Sequence, residues 1–156
     1  MPRFNPREVL QFAVAIEQNG EKFYREAGPR LEDARARELF LRLAREEVGH
    51  EQLFSRLLAK MEDLELDVRH SDDYLAYLRA YVDNVAFRHE AARAELEKVM
   101  DRESAIRFAM QREQDSVQFY TELRELVPEA ERGAIDEIIA EERSHFLSLS
   151  KLLEAS

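Results

Sequence analysis

The sequence predicts an all-α protein, a four-helix bundle made of two helical hairpins joined by a long crossover. Three observations carry this. Only 4 glycines and 4 prolines punctuate 156 residues, of which 45% are hydrophobic and 36% charged, a composition that favours long helices over turn-rich sheets. Four segments place apolar residues at alternating spacings of three and four, the period of one helix face. Between the second and third segments lie about forty residues, where a bundle hairpin usually needs about 2–8.

The first helix starts at Asn5-Pro6-Arg7-Glu8, with Asn5 as N-cap, Pro6 in the first turn and Glu8 where a capping box wants a carboxylate. It stops near Gly28-Pro29. The second runs from about Asp33 to Met61, with Phe40, Leu43, Phe54, Leu57 and Met61 along its seam. The third runs from about Arg102 to Val127 and is ended by Pro128, which cannot continue a helix. The fourth, about Glu129 to Ala155, shows Ile135, Ile138, Leu149 and Leu152 on one face. Within the crossover, Tyr74, Leu78, Tyr81 and Val85 follow a Ser71 cap and predict a short helix lying across the bundle; residues 86–101 are ambiguous. A crossover this long carries the chain back along the bundle, pairing helix one with two and three with four. Residues 1–156 read as a single domain.

Composition excludes several function classes. A formal net charge of −10 speaks against nucleic-acid binding, which needs a concentrated basic surface. With no cysteine, disulfides, thiolate metal sites and cysteine-held iron–sulfur centres are out, so a redox metal must use N and O ligands. The stretch VLQFAVAI contains Gln11 and runs straight into an amphipathic helix, so it reads as mature protein and not as a signal peptide. No apolar run approaches the roughly 18 residues needed to cross a bilayer, and the expectation is a cytoplasmic protein with no membrane partner.

The apolar seams are interrupted. After Phe40 and Leu43 the next inward positions are Glu47 and His50, before Phe54 and Leu57 resume; in the last helix Ile135 and Ile138 are followed by Glu142 and His145. Each pair is Glu-x-x-His, one turn apart on one face. Glu17 lies within the apolar face of helix one and Glu113 within that of helix three, each followed seven residues later by a tyrosine, Tyr24 and Tyr120, expected to stand above its own glutamate. Matching residues recur 96 or 95 positions apart, so the chain reads as two copies of one hairpin related by a pseudo-two-fold axis. All four glutamates fall near the middle of their helices and hence at one level.

Four carboxylates and two imidazoles in an apolar core are untenable unassisted, because each buried charge costs several kcal/mol and like charges repel. Two divalent cations cancel the four negative charges. Carboxylate with imidazole suits Fe, Mn or Zn, and six residues for two ions leave coordination open for an exogenous ligand.

This constellation resembles the ferritin-like di-iron carboxylate proteins, particularly the rubrerythrin branch, whose known ligand set is a Glu from each of two helices and Glu-x-x-His from the other two. The resemblance covers both hairpins and leaves out most of the crossover. It implies that Glu47 and Glu142 bridge two Fe ions, with Mn or Zn possible at either position, that Glu17 and Glu113 are terminal ligands, and that His50 and His145 each supply one nitrogen. Tyr24 and Tyr120 match family tyrosines that orient carboxylates. Two departures are visible. The rubredoxin domain of full rubrerythrins holds its iron with cysteines, which this chain lacks, so electrons must come from another protein or from the substrate. The family's extra carboxylate one turn after the helix-three ligand is here Ser116, which removes the group its metal shift requires and argues against an efficient peroxidase.

The leading expectation is a non-haem di-iron oxidoreductase reacting with O2 or hydrogen peroxide, assembled by resemblance as a homodimer. Two other readings compete: ferritin-type iron sequestration, and a helical interaction module with structural metals. Glu21 is expected to pair with Arg25 at the surface, and Glu46 and Glu141 to face solvent or support the ligands. Asp67, His70, Asp72 and Asp73 read as loop and cap residues, and His89 has no assigned role.

Overall fold

The computed structural model describes residues 6–60, 72–98 and 100–155; Asn5, Met61, Asp67, His70 and Ser71 lie outside them. Helix α1 spans Pro6–Ala27 and gives way to a 3-10 turn, Gly28–Arg30. Helix α2 spans Ala34–Lys60, α3 Asp72–Lys98, α4 Arg102–Leu126 and α5 Glu129–Glu154. The described residues contain no strand. Helix α1 packs along α2 and α4 along α5, which are the two hairpins the seams predict.

Local chemistry sets several of the ends. Asp101 caps α4, its side chain accepting a 2.8 Å hydrogen bond from the Ser104 amide, which satisfies one of the donors a helix start leaves open. Pro128 separates α4 from α5. Arg102 ties one end of the bundle together by pairing with Asp33 at 2.8 Å and donating to the carbonyls of Leu152 and Ala155 at 2.6 and 2.8 Å.

The crossover helix departs from expectation. It is not short: α3 runs for 27 residues, through the segment that periodicity leaves ambiguous. No glycine or proline interrupts Asp72–Lys98, and its last eight residues, AARAELEK, are all strong helix formers. Leu75, Leu78, Val82, Val85 and Leu96 form its buried edge. Side-chain contacts lay it along α1 and α4: Arg93 pairs with Glu26 at 2.7 Å, Tyr74 donates to Glu122 at 2.5 Å, and His89 meets Asp115 at 2.7 Å. His89, which sequence alone left without a role, thus anchors α3 to α4. Asp72 and Asp73 sit in the first turn of α3, where acidic groups favour the helix.

The core divides into two apolar clusters. One gathers Leu10, Phe54, Phe119, Tyr120 and Ile135; the other Phe23, Tyr24, Phe40, Ile106 and Leu149. Full burial of each large side chain contributes roughly 1.5–3 kcal/mol. Between the clusters lies a polar layer.

Candidate metal centre

That layer is made of Glu17, Glu47, His50, Glu113, Glu142 and His145, none more than 4% exposed. Each comes from the middle of its helix, because the apolar seams above and below fix which face turns inward. Two groups of four form, each with one donor atom per residue and all four atoms within 4.8 Å of one another. The first is Glu17, Glu47, His50 and Glu142; the second is Glu47, Glu113, Glu142 and His145. Glu47 and Glu142 belong to both. The imidazole rings lie nearly parallel, 5.7 Å between centroids.

Outside the layer each imidazole is held from the opposite hairpin. His50 Nε2 meets Glu141 Oε2 at 2.5 Å, and His145 Nε2 meets Glu46 Oε2 at 2.7 Å. Glu46 and Glu141 remain half exposed, yet they aim both Nδ1 atoms inward. Glu21 does pair with Arg25, at 2.7 Å on the surface.

The tyrosines cross over as well. Tyr24 donates to Glu113 at 2.5 Å, and Tyr120 donates to Glu17. The expectation that each stands over the glutamate of its own helix is therefore corrected. Both side chains lean across the α1–α4 interface and reach the carboxylate of the facing helix. Burial, then the charge of Glu113 or Glu17, holds each hydroxyl well above the ordinary tyrosine range, so both stay neutral donors.

Electrostatically the layer is short of positive charge. Burial, then repulsion from Glu17 and Glu113, raises Glu47 well above the carboxylate range. Burial followed by Glu113 and Glu47 pushes Glu142 up to about 8, and burial with Glu142 raises Glu17. Glu113 stays ionised, held at about 2: burial opposes this, but the neighbouring Glu142 and His145 and the Tyr24 hydroxyl prevail. Burial also works against charged imidazoles, yet Glu142 and Glu17 push His50 up to about 12, and Glu113, Glu142 and Glu47 raise His145 likewise.

Five buried atoms in this layer have no hydrogen-bond partner: Glu17 Oε2, Glu47 Oε1, Glu113 Oε2, Glu142 Oε2 and His145 Nδ1. Native proteins leave few such groups, each costing about 1–3 kcal/mol. His145 Nδ1 stands 3.4, 3.5 and 3.6 Å from oxygens of Glu142, Glu47 and Glu113. Those separations are long for hydrogen bonds, but donors bound to one ion at about 2.0–2.2 Å stand about 3–3.5 Å apart. The residues therefore fit a pair of cations.

A model of the rubrerythrin family matches residues 8–153, nearly the whole chain. The chain belongs to the rubrerythrin family. Its bundle is accordingly ferritin-like, and rubrerythrins bind a di-iron centre, for which the buried Glu and His groups offer donors. The chain matches no curated protein and no solved structure at significant similarity. Among the described residues no helix is long and apolar enough to cross a membrane.

Two features beside the centre escaped sequence reasoning. Arg112, only 6% exposed, lies inside α4 and donates from Nη2 to the Ile16 carbonyl at 3.0 Å; in the run QREQDS it resembles any surface charge. Gly20 is bare because a Cβ there would meet Glu47 Oε2 at 2.7 Å and Arg112 Nη1 at 2.9 Å. A glycine in mid-helix is the one signal that pointed to it.

Proposed function

We propose that the chain is a non-haem di-iron oxidoreductase that reacts with O2 or hydrogen peroxide. The observation that carries the reading is the pair of four-donor groups sharing Glu47 and Glu142, with five partnerless atoms turned into one buried layer. On this reading Glu47 and Glu142, which belong to both groups, would be shared between the two ions. Glu17 with His50 completes one position and Glu113 with His145 the other. Iron is the proposed resident metal, with Mn or Zn able to take either place. When bound, the metal pair supplies the electrons that dioxygen or peroxide takes up.

The chain's own part is geometry and exclusion. The apolar clusters above and below the layer keep bulk water out, which strengthens every interaction inside. Glu46 and Glu141 fix the imidazole orientation, and the tyrosine hydroxyls hold one oxygen of Glu113 and of Glu17, leaving the other oxygen for the metal. Ser116 is buried one turn beyond Glu113 and brings no carboxylate, so the proposal includes no exchange of ligands between that turn and a histidine. Without cysteine in these residues, electrons come from a separate donor protein or from the substrate.

The test is to load the protein with Fe(II) anaerobically and mix it with oxygen or peroxide in a stopped-flow spectrometer. Oxidation at least tenfold faster than that of free iron supports the reading; oxidation no faster overturns it.

A further inference from the structure

The two-fold resemblance of the hairpins fails on one side of the layer. Positions 96 apart in α1 and α4 correspond at Glu17 and Glu113, but the counterpart of Ile16 is Arg112 and that of Gly20 is Ser116. Arg112 is thus a buried cation on one side only. Among the described residues no carboxylate forms an ion pair with it, and its one hydrogen bond runs to the Ile16 carbonyl. Buried guanidinium groups are nearly always paired.

Gly20 leaves open the space that Arg112 Nη1 and Glu47 Oε2 both reach, so Arg112 borders the polar layer at its Glu47 edge. Arg112 also forms part of the wall of a cavity of about 320 Å³ between α1, α3 and α4. Phe12, Phe23 and Phe108 supply the aromatic part of an otherwise mixed lining. Of its other charged or titratable residues, His89 and Arg93 already pair with Asp115 and Glu26, and Glu90 lies exposed on its wall. Two divalent ions cancel the four glutamates, leaving the charge of Arg112 without a counter-ion from the protein; this step rests on the di-metal reading above.

We propose that the cavity binds a small organic carboxylate with an apolar or aromatic body, its carboxylate on Arg112 and its body among the phenylalanines, delivered beside the Glu47 edge of the metal centre. A guanidinium matches a carboxylate in both charge and planar geometry, and the aromatic lining favours a carbon body over a bare inorganic anion.

The experiment titrates the full chain, metal-free and zinc-loaded, with benzoate and with benzyl alcohol as its uncharged counterpart, at pH 7 by calorimetry. Benzoate is expected to bind at least tenfold more tightly than benzyl alcohol. Arg112→Gln should lose at least tenfold in benzoate affinity in both forms and leave the alcohol unchanged. Ala86→Trp, on an exposed part of α3 that borders the cavity, should weaken both ligands. Equal binding of the two ligands, or benzoate binding by Arg112→Gln at the wild-type level, overturns the proposal. If Arg112→Gln does not fold, undiminished benzoate binding by Ala86→Trp overturns it instead. A chain that takes up two ions but fails these tests contradicts this inference alone, whereas a chain that takes up no metal contradicts the di-metal reading.

Discussion

Tyr24 donates its hydroxyl to Glu113 on the opposite hairpin, not to Glu17 seven residues before it in its own helix. Tyr120 returns the contact to Glu17, so the two halves of the layer hold each other's carboxylates. Tyr24→Phe should leave a buried Glu113 oxygen without its donor, costing about 1–3 kcal/mol. In double-mutant cycles read by thermal melts, Tyr24→Phe should couple to Glu113→Gln by about 0.5–3 kcal/mol and less to Glu17→Gln. The reverse order would contradict the crossed arrangement.

Glu46 and Glu141 look dispensable by exposure, yet each holds the outer nitrogen of an imidazole from the other hairpin. Replacing either with Ala should cost about 0.5–1.5 kcal/mol, the usual net contribution of one hydrogen bond. Metal affinity should fall about 10-fold or more, the usual effect of losing a group that orients a ligand. Competition against a chelator measures it; unchanged affinity would remove both residues from the account.

The three glycines within α1, α2 and α5 separate a packing requirement from a helix preference. A Cβ at Gly49 or Gly133 meets nothing within 4 Å, so Ala there should stabilise by about 0.4–1 kcal/mol. At Gly20 the same change displaces Glu47 and Arg112. Both atoms in the way are ends of flexible side chains, so the helix survives, but the stability gain should vanish and metal affinity should drop. Denaturant melts and chelator competition on the three variants give the comparison.

Protons and metal compete for the layer. Glu142 is raised from 4.5 to about 8, with Glu17 and Glu47 raised as well. Such groups contribute stability that is full below pH 4.5 and lost as pH rises toward 8. The raised imidazoles have the same sign, full below 6.5 and lost as pH rises toward about 12 for His50. Glu113 has the opposite sign, but its contribution is lost only as pH falls through about 2. Metal-free protein should therefore lose several degrees of Tm between pH 5 and 8, about 2–4 °C for each kcal/mol. Metal uptake must expel these protons, so zinc affinity should rise over the same interval and zinc should flatten the Tm profile. A metal-free Tm that climbs from pH 5 to 8 would contradict the charge balance described.

The hairpins and the depth of the polar layer were legible because a helix reports its inward face in its own sequence: Glu47 and His50 occupy positions where Phe40, Leu43, Phe54 and Leu57 demand an apolar side chain. Contacts between helices were not legible in the same way. Counting seven residues from Glu17 to Tyr24 fixes their relation within α1 but not the rotation of α1 against α4, which is what sends Tyr24 to Glu113. The length of α3 was missed because its second half is held by intrinsic propensity more than by a buried stripe: among the side chains described beyond Val85, Leu96 alone is buried. Arg112 was hidden because burial of a charged residue leaves no periodic mark when its neighbours Gln111 and Gln114 are polar too.

Anaerobic equilibrium dialysis against Fe(II), followed by elemental analysis, tests the central claim most directly. The wild-type chain should retain two ions; Glu17→Gln should weaken one of them, and Glu47→Gln, a member of both donor groups, should weaken both. Fewer than two ions in the wild type, or two ions held by Glu47→Gln as tightly as before, would contradict it.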